Sequence, residues 1–152
     1  MRQSAGILLY KWMAGKLLFF LVHPGGPFWE GKDEGAWTIP KGEYGNDELP
    51  LTAALRELKE ETGTEINGPA LALTPITQKA GKQVTAFAVE GDIDPQTISS
   101  NHFRMQWPYK SGKWISVPEI DKGGWFDITE AKRKMNPAQV AFLDELSLLL
   151  DV

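Results

Sequence analysis

Residues 42–64, GEYGNDELPLTAALRELKEETGT, decide how the rest of this 152-residue chain is read. Pro50 suits the first turn of a helix, where its missing N–H loses no partner, and Gly63 suits a left-handed C-cap. The spacing therefore predicts a helix over 50–62. On a helix turning about 100° per residue, Glu57, Glu60 and Glu61 fall within an arc of roughly 100°. Like charges one turn apart destabilise a helix by a few tenths of a kcal/mol. Hard divalent cations relieve that repulsion, because Mg²⁺ takes carboxylate oxygens and shares its remaining positions with water and phosphate. Leu51, Leu55, Leu58 and Thr62 lie on the other side and read as a core-facing stripe. The helix is thus expected to anchor in the core on one side and to offer metal ligands outward on the other. A glutamate-rich helix is more commonly a solvated acidic face. The full spacing, with Gly42 and Gly63 at its ends, favours the metal site.

The stretch resembles the signature of the Nudix hydrolases: Gly, five residues, Glu, seven residues, Arg-Glu, an aliphatic residue, any residue, Glu-Glu, any residue, Gly, an aliphatic residue. The matching positions are Gly42, Glu48, Arg56, Glu57, Leu58, Glu60, Glu61 and Gly63. Seven fixed residue types coincide by chance roughly once in 10⁸ to 10⁹ starting positions. Thr64 departs from the pattern where the family prefers an aliphatic residue, with little consequence expected for the chemistry. The resemblance implies an α/β (α+β) fold, a mixed β-sheet sandwiched between helices, over a single domain spanning 1–152.

The family likeness also implies that Glu57, Glu60 and Glu61 are metal ligands, with the backbone carbonyl of Lys41 as a further one and Mg²⁺ (or Mn²⁺) as the ion. Gly42 then lets the backbone approach a hydrated ion. In the family the arginine equivalent to Arg56 bonds to carboxylates of the box, a task its rigid fork suits better than lysine would. Glu48 is either a catalytic part or a carboxylate complementing the helix dipole, and both readings stay open. For the general base, some members use a glutamate of the box, here Glu57 or Glu60, and others a distant carboxylate. The distant candidates are Glu90, Asp92 and Glu119; the box is favoured. SAGILLY (4–10), WTIPKGE (37–43) and WFDITEA (125–131) are similar to the diadenosine-tetraphosphate-hydrolase branch. Phe103, Trp107-Pro108 and Ser111-Gly112-Lys113 are similar to a group of predicted nucleoside triphosphate pyrophosphohydrolases.

Bulk properties narrow the partners. Sixteen basic against twenty acidic residues give a net charge of −4, without the basic footprint that duplex nucleic acid requires. There is no cysteine, hence no disulfide framework and no thiolate chemistry, which fits a cytoplasmic protein and removes an isomerase chemistry that leans on cysteine. The apolar run LLFFLV (17–22) is too short to span a bilayer and reads as a buried strand, so no membrane partner is expected. The length suits one domain with a sizeable core. The sequence leaves the oligomeric state open.

Along the chain, residues 4–10 and 16–22 read as a hairpin buried on both faces, and 36–40 as a short strand. Residues 71–78 and 83–90 read as a second hairpin turning through Ala80-Gly81, and 91–112 as a long polar stretch. A last strand is expected at 124–126, a helix opened by Asp127 with Glu130, and a closing helix capped by Asn136-Pro137 with Gln139. Trp29, Trp37, Phe103, Trp107 and Tyr109 lie in or beside loops and are candidates for stacking on a nucleobase, although each ring could instead be core. Lys41, Arg104 and Lys110 are candidates for phosphate contacts, as are His23 and His102. The function these readings converge on is Mg²⁺-dependent hydrolysis of a nucleoside diphosphate linked to another group, a dinucleoside polyphosphate or a nucleoside triphosphate foremost. The alternative is a nucleotide sensor of the same fold without turnover.

Overall fold

In the computed structural model, which describes residues 2–151 apart from the side chain of Ala80, twelve helices and strands follow one another with three short 3₁₀ turns between them. The order is β1 (Gln3–Met13), β2 (Lys16–Pro24), β3 (Lys41–Glu43), α1 (Pro50–Thr62), β4 (Ala70–Ala72), β5 (Ile76–Thr77) and β6 (Gln83–Glu90). Then come β7 (His102–Gln106), β8 (Trp114–Pro118), β9 (Ile120–Phe126), α2 (Ile128–Lys134) and α3 (Val140–Leu149). Met1 and Val152, the ends of the expected domain, lie outside the described residues.

The sheet is mixed and has seven strands, with β1 at its centre. One edge of β1 pairs with β6 in parallel from Gln3↔Gln83 to Tyr10↔Glu90. The other edge is shared: Ser4–Gly6 pair with β3, and Tyr10–Met13 pair with β2. β2 continues outward to β9, and β6 to β4 and β5, all antiparallel. Because successive side chains of a strand point to opposite faces, the apolar runs fill two cores at once. Ala5, Ile7, Leu9, Phe20 and Val22 pack under Ala53, Ala54 and Leu58 of α1. Leu8, Tyr10, Phe19 and Leu21 pack under Ala131 of α2 and Phe142, Leu143 and Leu146 of α3. The expected sandwich of a mixed sheet between helices is what the chain forms.

Several boundaries differ from the sequence reading. Residues 36–40 make isolated bridges, Val22↔Thr38 and Trp37↔Met135, instead of a strand. The second hairpin is interrupted between β4 and β5. The polar stretch conceals β7, which pairs with β8 as a separate two-stranded ribbon, and β9 begins at Ile120, earlier than expected. Asn136 caps a 3₁₀ turn, Pro137–Gln139, which leads into α3.

Gly6 sets how closely β3 can lie against β1: a Cβ there would sit 2.5 Å from the Pro40 carbonyl oxygen and 2.7 Å from the Lys41 Cβ. The backbone would have to move. Gly6→Ala is expected to destabilise the protein by about 1–3 kcal/mol, as overpacking against backbone does. Urea denaturation monitored by tryptophan fluorescence checks this; an unchanged midpoint would show that β3 is free to shift.

Candidate functional site

The helix α1 begins without a side-chain cap. Leu49 is its N-cap and Pro50 follows at the first turn, while Gly63 closes it in the left-handed conformation with its N–H on the Lys59 carbonyl. The burial of Ala54 and Leu58 in the core under the sheet fixes the rotation of the helix about its axis. That rotation buries Leu58 and Thr62 of the expected stripe fully and packs Leu51 and Leu55 against its edge. Leu51 and Leu55 are only partly buried, whereas Glu57 and Glu61 are 8% and 5% exposed. The two carboxylates therefore point inward along β3, and the outward-facing metal site of the sequence reading is corrected. β3 flanks the helix on that side, and Gly42 makes room, because a Cβ there would fall onto the Glu57 carboxylate.

Arg56 organises the other carboxylates. Its Nε and NH2 donate to the two oxygens of Glu48, each at 2.9 Å, in the fork-to-fork geometry that arginine favours. Its NH1 donates to Glu57 Oε1 at 2.9 Å and to Glu60 at 3.2 and 3.3 Å. Glu48 is thus committed to Arg56 through both oxygens. These bonds hold the Glu48 carboxyl below its usual range and raise the guanidinium further above its own.

Burial pushes the other carboxyls up. Glu61 rises to about 8, chiefly through burial, although the Lys41 backbone N–H, 3.1 Å from Glu61 Oε1, and the Lys41 ammonium oppose the rise. Glu57 is raised by burial against the pull of Arg56, with Glu60 and Glu119 adding repulsion. Glu119 is raised by burial and by Glu60. Lys41 is lowered to about 8 by burial and by the facing Lys82 ammonium, partly offset by Glu61. Four carboxylates therefore feel one another across one small region. All their donors are hard oxygens, the set that suits Mg²⁺ or Mn²⁺ rather than a softer metal. Among the described residues, no three acidic or imidazole side chains are already drawn into a closed metal cage. The Lys41 N–H is spent on Glu61, so Lys41 and Gly6 face each other as a non-hydrogen-bonded pair. An extended strand turns the N–H and C=O of one residue to the same side, so the Lys41 carbonyl also faces away from β1.

Three of these groups, Lys41, Glu61 and Glu119, border a cleft of about 350 Å³. Trp29, Lys41, Glu61, Phe103 and Glu119 line it, together with Thr38, Gln78, Asn136 and Gln139. Of the aromatic candidates, only Trp29 and Phe103 reach it. Trp37 is buried, donates its indole N–H to Asp33 at 2.8 Å, and packs edge-on against His23 and Phe126, so it belongs to the core. Trp107 and Tyr109 lie toward the far end of the β7–β8 ribbon. Tyr109 borders a different pocket with Met105 and Trp114. Arg104 sits over Trp114 and Lys110 over Tyr109, also away from the cleft. His23 is buried, with Nδ1 2.8 Å from Asp121 and Nε2 against the Lys32 carbonyl, and so braces the loop that carries Trp29. His102 is exposed on β7.

Of the distant carboxylates, Glu119 alone borders the cleft. Asp92 pairs with Lys11, and Glu90 lies at the end of β6 beside Tyr10. Glu119 is held by its backbone: its carbonyl accepts from Gly25 and its N–H donates to the Asn101 carbonyl. Gln139 was read only as part of a cap. It is fully buried, and its Oε1 accepts from the Ile39 N–H at 3.0 Å, steadying the segment that leads into β3. A larger cavity, about 670 Å³, lies between the start of β2 and helices α2 and α3, lined by residues such as Leu17, Ile128 and Leu148. It is mostly apolar, and of its titratable residues Asp127 caps α2 and Asp144 pairs with Lys132.

A family model, that of the NUDIX domain, matches residues 2–146. Among solved structures, the C. elegans Ap4A hydrolase, in a binary complex, superposes with a TM-score of 0.71 at 21% identity, covering 99% of this chain and 98% of that one. The NUDIX domain of Shewanella oneidensis NrtR, complexed with ADP ribose, gives 0.64 at 14% identity over 99% and 88% of the two chains. A mutT/nudix family protein from Listeria innocua gives 0.58 at 19% identity over 99% and 98%. A domain match across nearly the whole chain, on a sheet with the box helix laid against it, means that this protein belongs to the NUDIX family.

Proposed function

We propose that the cleft beside α1 is the active site of a divalent-metal-dependent pyrophosphohydrolase that cleaves a nucleoside diphosphate linked to another moiety, with a dinucleoside polyphosphate or a nucleoside triphosphate as the favoured substrate. The observation that carries this reading is the gathering of Glu57, Glu61 and Glu119, whose carboxyls burial raises, with Glu60 repelling Glu57 and Glu119, beside a cleft lined by Glu61, Glu119 and Lys41. The likeness to the Ap4A hydrolase and to the ADP-ribose complex supports a nucleotide substrate.

Glu57, Glu60 and Glu61, with the Lys41 carbonyl, would hold the cation. When bound, a divalent ion there supplies neutralisation of charge on the phosphate oxygens and a more acidic water. Phosphoryl transfer is mainly positioning and electrostatics, so the remaining tasks fall to a few side chains. Arg56 keeps Glu57 and Glu60 in register through its shared NH1. Lys41 meets the phosphate chain as a cation inside the cleft. Trp29 and Phe103 stack on the base. A proton acceptor needs a free lone pair. Both oxygens of Glu60 and one of Glu57 take Arg56, whereas the Glu119 carboxylate accepts no hydrogen bond among the described residues. Glu119, which borders the cleft, and Glu57, whose second oxygen accepts no bond, are the two candidates for the base that takes the proton of the attacking water while the bond from phosphorus to the bridging oxygen breaks.

The test is turnover of diadenosine polyphosphates, nucleoside triphosphates, ADP-ribose and sugar nucleotides with Mg²⁺ or Mn²⁺, products being separated by chromatography. Wild-type turnover with Glu61→Gln slowed about a hundredfold or more is expected, since a lost ligand costs at least what a lost supporting partner does. Tight nucleotide binding without turnover across the panel would instead support the sensor reading. Arg56→Lys keeps the charge but loses the fork, and kcat is expected to fall about tenfold while the fold persists by circular dichroism. An Arg56→Lys enzyme as fast as the parent would remove the positioning role.

Burial of Glu61 has a consequence for stability without metal. Its carboxyl stands at about 8 in the folded chain against an ordinary 4.5. The folded state therefore holds an extra proton between those values, and the stability this confers is complete below about 4.5 and lost as pH rises through about 8. Glutamine keeps an acceptor for the Lys41 N–H and carries no charge. In EDTA, Glu61→Gln is expected to melt a few degrees above the parent at pH 8.5, with the gap closing at pH 5. An equal gap at both pH values would refute the buried-proton account.

A further inference from the structure

The cleft shares Gln78 and Asn136 as a wall with a neighbouring pocket of about 370 Å³, whose other lining residues are Lys79, Pro137 and Ala138. The amides of that wall are oriented by backbone groups that can act in only one sense. The Ile39 N–H, a donor, fixes Gln139 Oε1 toward it at 3.0 Å, so the NH₂ of Gln139 turns outward. That NH₂ donates to Gln78 Oε1 at 3.2 Å, which leaves the Gln78 NH₂ free. The Ala138 N–H likewise occupies Asn136 Oδ1 at 3.0 Å and leaves the Asn136 NH₂ free. Each side-chain oxygen of Gln78, Asn136 and Gln139 thus accepts one hydrogen bond, while two of the three NH₂ groups donate none among the described residues. What the wall still offers is two amide NH₂ groups and the exposed ammonium of Lys79. Lys82, whose carbonyl accepts from the Gln78 N–H, faces Lys41, with Glu43 near both lysines and Glu61 near Lys41.

We propose that the pocket bounded by Gln78, Lys79 and Asn136 is a second anion subsite, taking the phosphate-rich part of the substrate that lies beyond the bond being cut. A wall whose unbonded groups are two NH₂ donors and an ammonium favours a ligand rich in acceptors and negative charge, and a chain of ionised phosphates is such a ligand. Apolar groups would leave the NH₂ groups of Gln78 and Asn136 unmatched, and neutral hydroxyls would leave the Lys79 ammonium without a counter-charge. The location rests on the reading of the cleft as a pyrophosphate site, but the binding needs no metal and no turnover.

Inorganic tripolyphosphate is the probe, titrated into the intact protein in EDTA by calorimetry. Saturable binding is expected, weakened tenfold or more by Lys79→Glu and by Gln78→Glu, and changed less than twofold by Lys16→Glu, which alters net charge equally at the remote start of β2. Lys79 is exposed, so its variant keeps the test valid should Gln78→Glu disturb the fold. No binding, or affinity unchanged in Lys79→Glu, or an equal loss in Lys16→Glu, would overturn the subsite. Those results together with wild-type turnover would leave the hydrolase reading standing. Binding lost in the two pocket variants, in a protein that turns over nothing, would retain the subsite and sink the hydrolase.

Discussion

The arrangement of this protein depends on two carboxylates of α1 being pressed against the backbone of β3. Ala54 and Leu58 seat the helix in the core, and that seating leaves Glu57 and Glu61, one turn apart, no direction but inward. Burying ionised carboxylates is expensive unless they are paired or hydrogen-bonded. Arg56 and the Lys41 N–H offset part of the cost, and the raised carboxyls of Glu57 and Glu61 record what is left over. Gly42 is the enabling residue, since any side chain there would occupy the place of the Glu57 carboxylate. Local stability has been given up at this point for a cluster of oxygens held in place before any ligand arrives, as pre-organised sites require.

The cleft itself follows from the way β1 divides one of its edges between two strands. β3 takes Ser4–Gly6 and β2 takes Tyr10–Met13, so the two partners diverge and the segments between them must cross the gap. Thr38 bridges back to Val22, and Gln139 reaches across from the turn before α3 to hold Ile39. On the far wall, the junction of β8 and β9 is fastened to the loop after β2 through Gly25 and to residue Asn101, and it carries Glu119 on that fastening. His23 ties the same loop to Asp121 and to the Lys32 carbonyl. The walls are loops, yet backbone bonds and one buried imidazole hold them, so Trp29 and Glu119 are set by the scaffold.

What the sequence disclosed, it disclosed where the physics is local. Pro50, Gly63 and the apolar positions between them suffice for α1, and the paired apolar runs suffice for β1 and β2. The inward turn of Glu57 and Glu61 was hidden because periodicity treats charge as solvent-facing, and only the neighbouring strand, brought in from elsewhere in the chain, reverses that. The β7–β8 ribbon was hidden for the opposite reason: much of it is exposed and pairs only with itself, so no apolar alternation marks it. Trp37 looked like a loop ring, but its bridge to Met135 draws it under α2. Gln139 gave one signal, an Asn-Pro-x-Gln cap, and its contact with Ile39 spans a hundred residues of chain.

The cleft has two unlike ends, and the difference constrains how a substrate must lie. Toward α1 it presents acceptors, the oxygens of Glu61 and Glu119, and toward Gln78 and Asn136 it presents unbonded NH₂ donors. An anionic ligand is repelled by the first end unless a cation intervenes, and attracted by the second without one. In the proposed reading, a phosphate chain therefore settles on the donor end first, and its remaining phosphates then lie over the carboxylates, where the cation is required. Lys41 stands at the border of the two ends, its ammonium facing Lys82 on one side and its N–H on Glu61 on the other. In that reading a single residue stands between the two halves of the cleft.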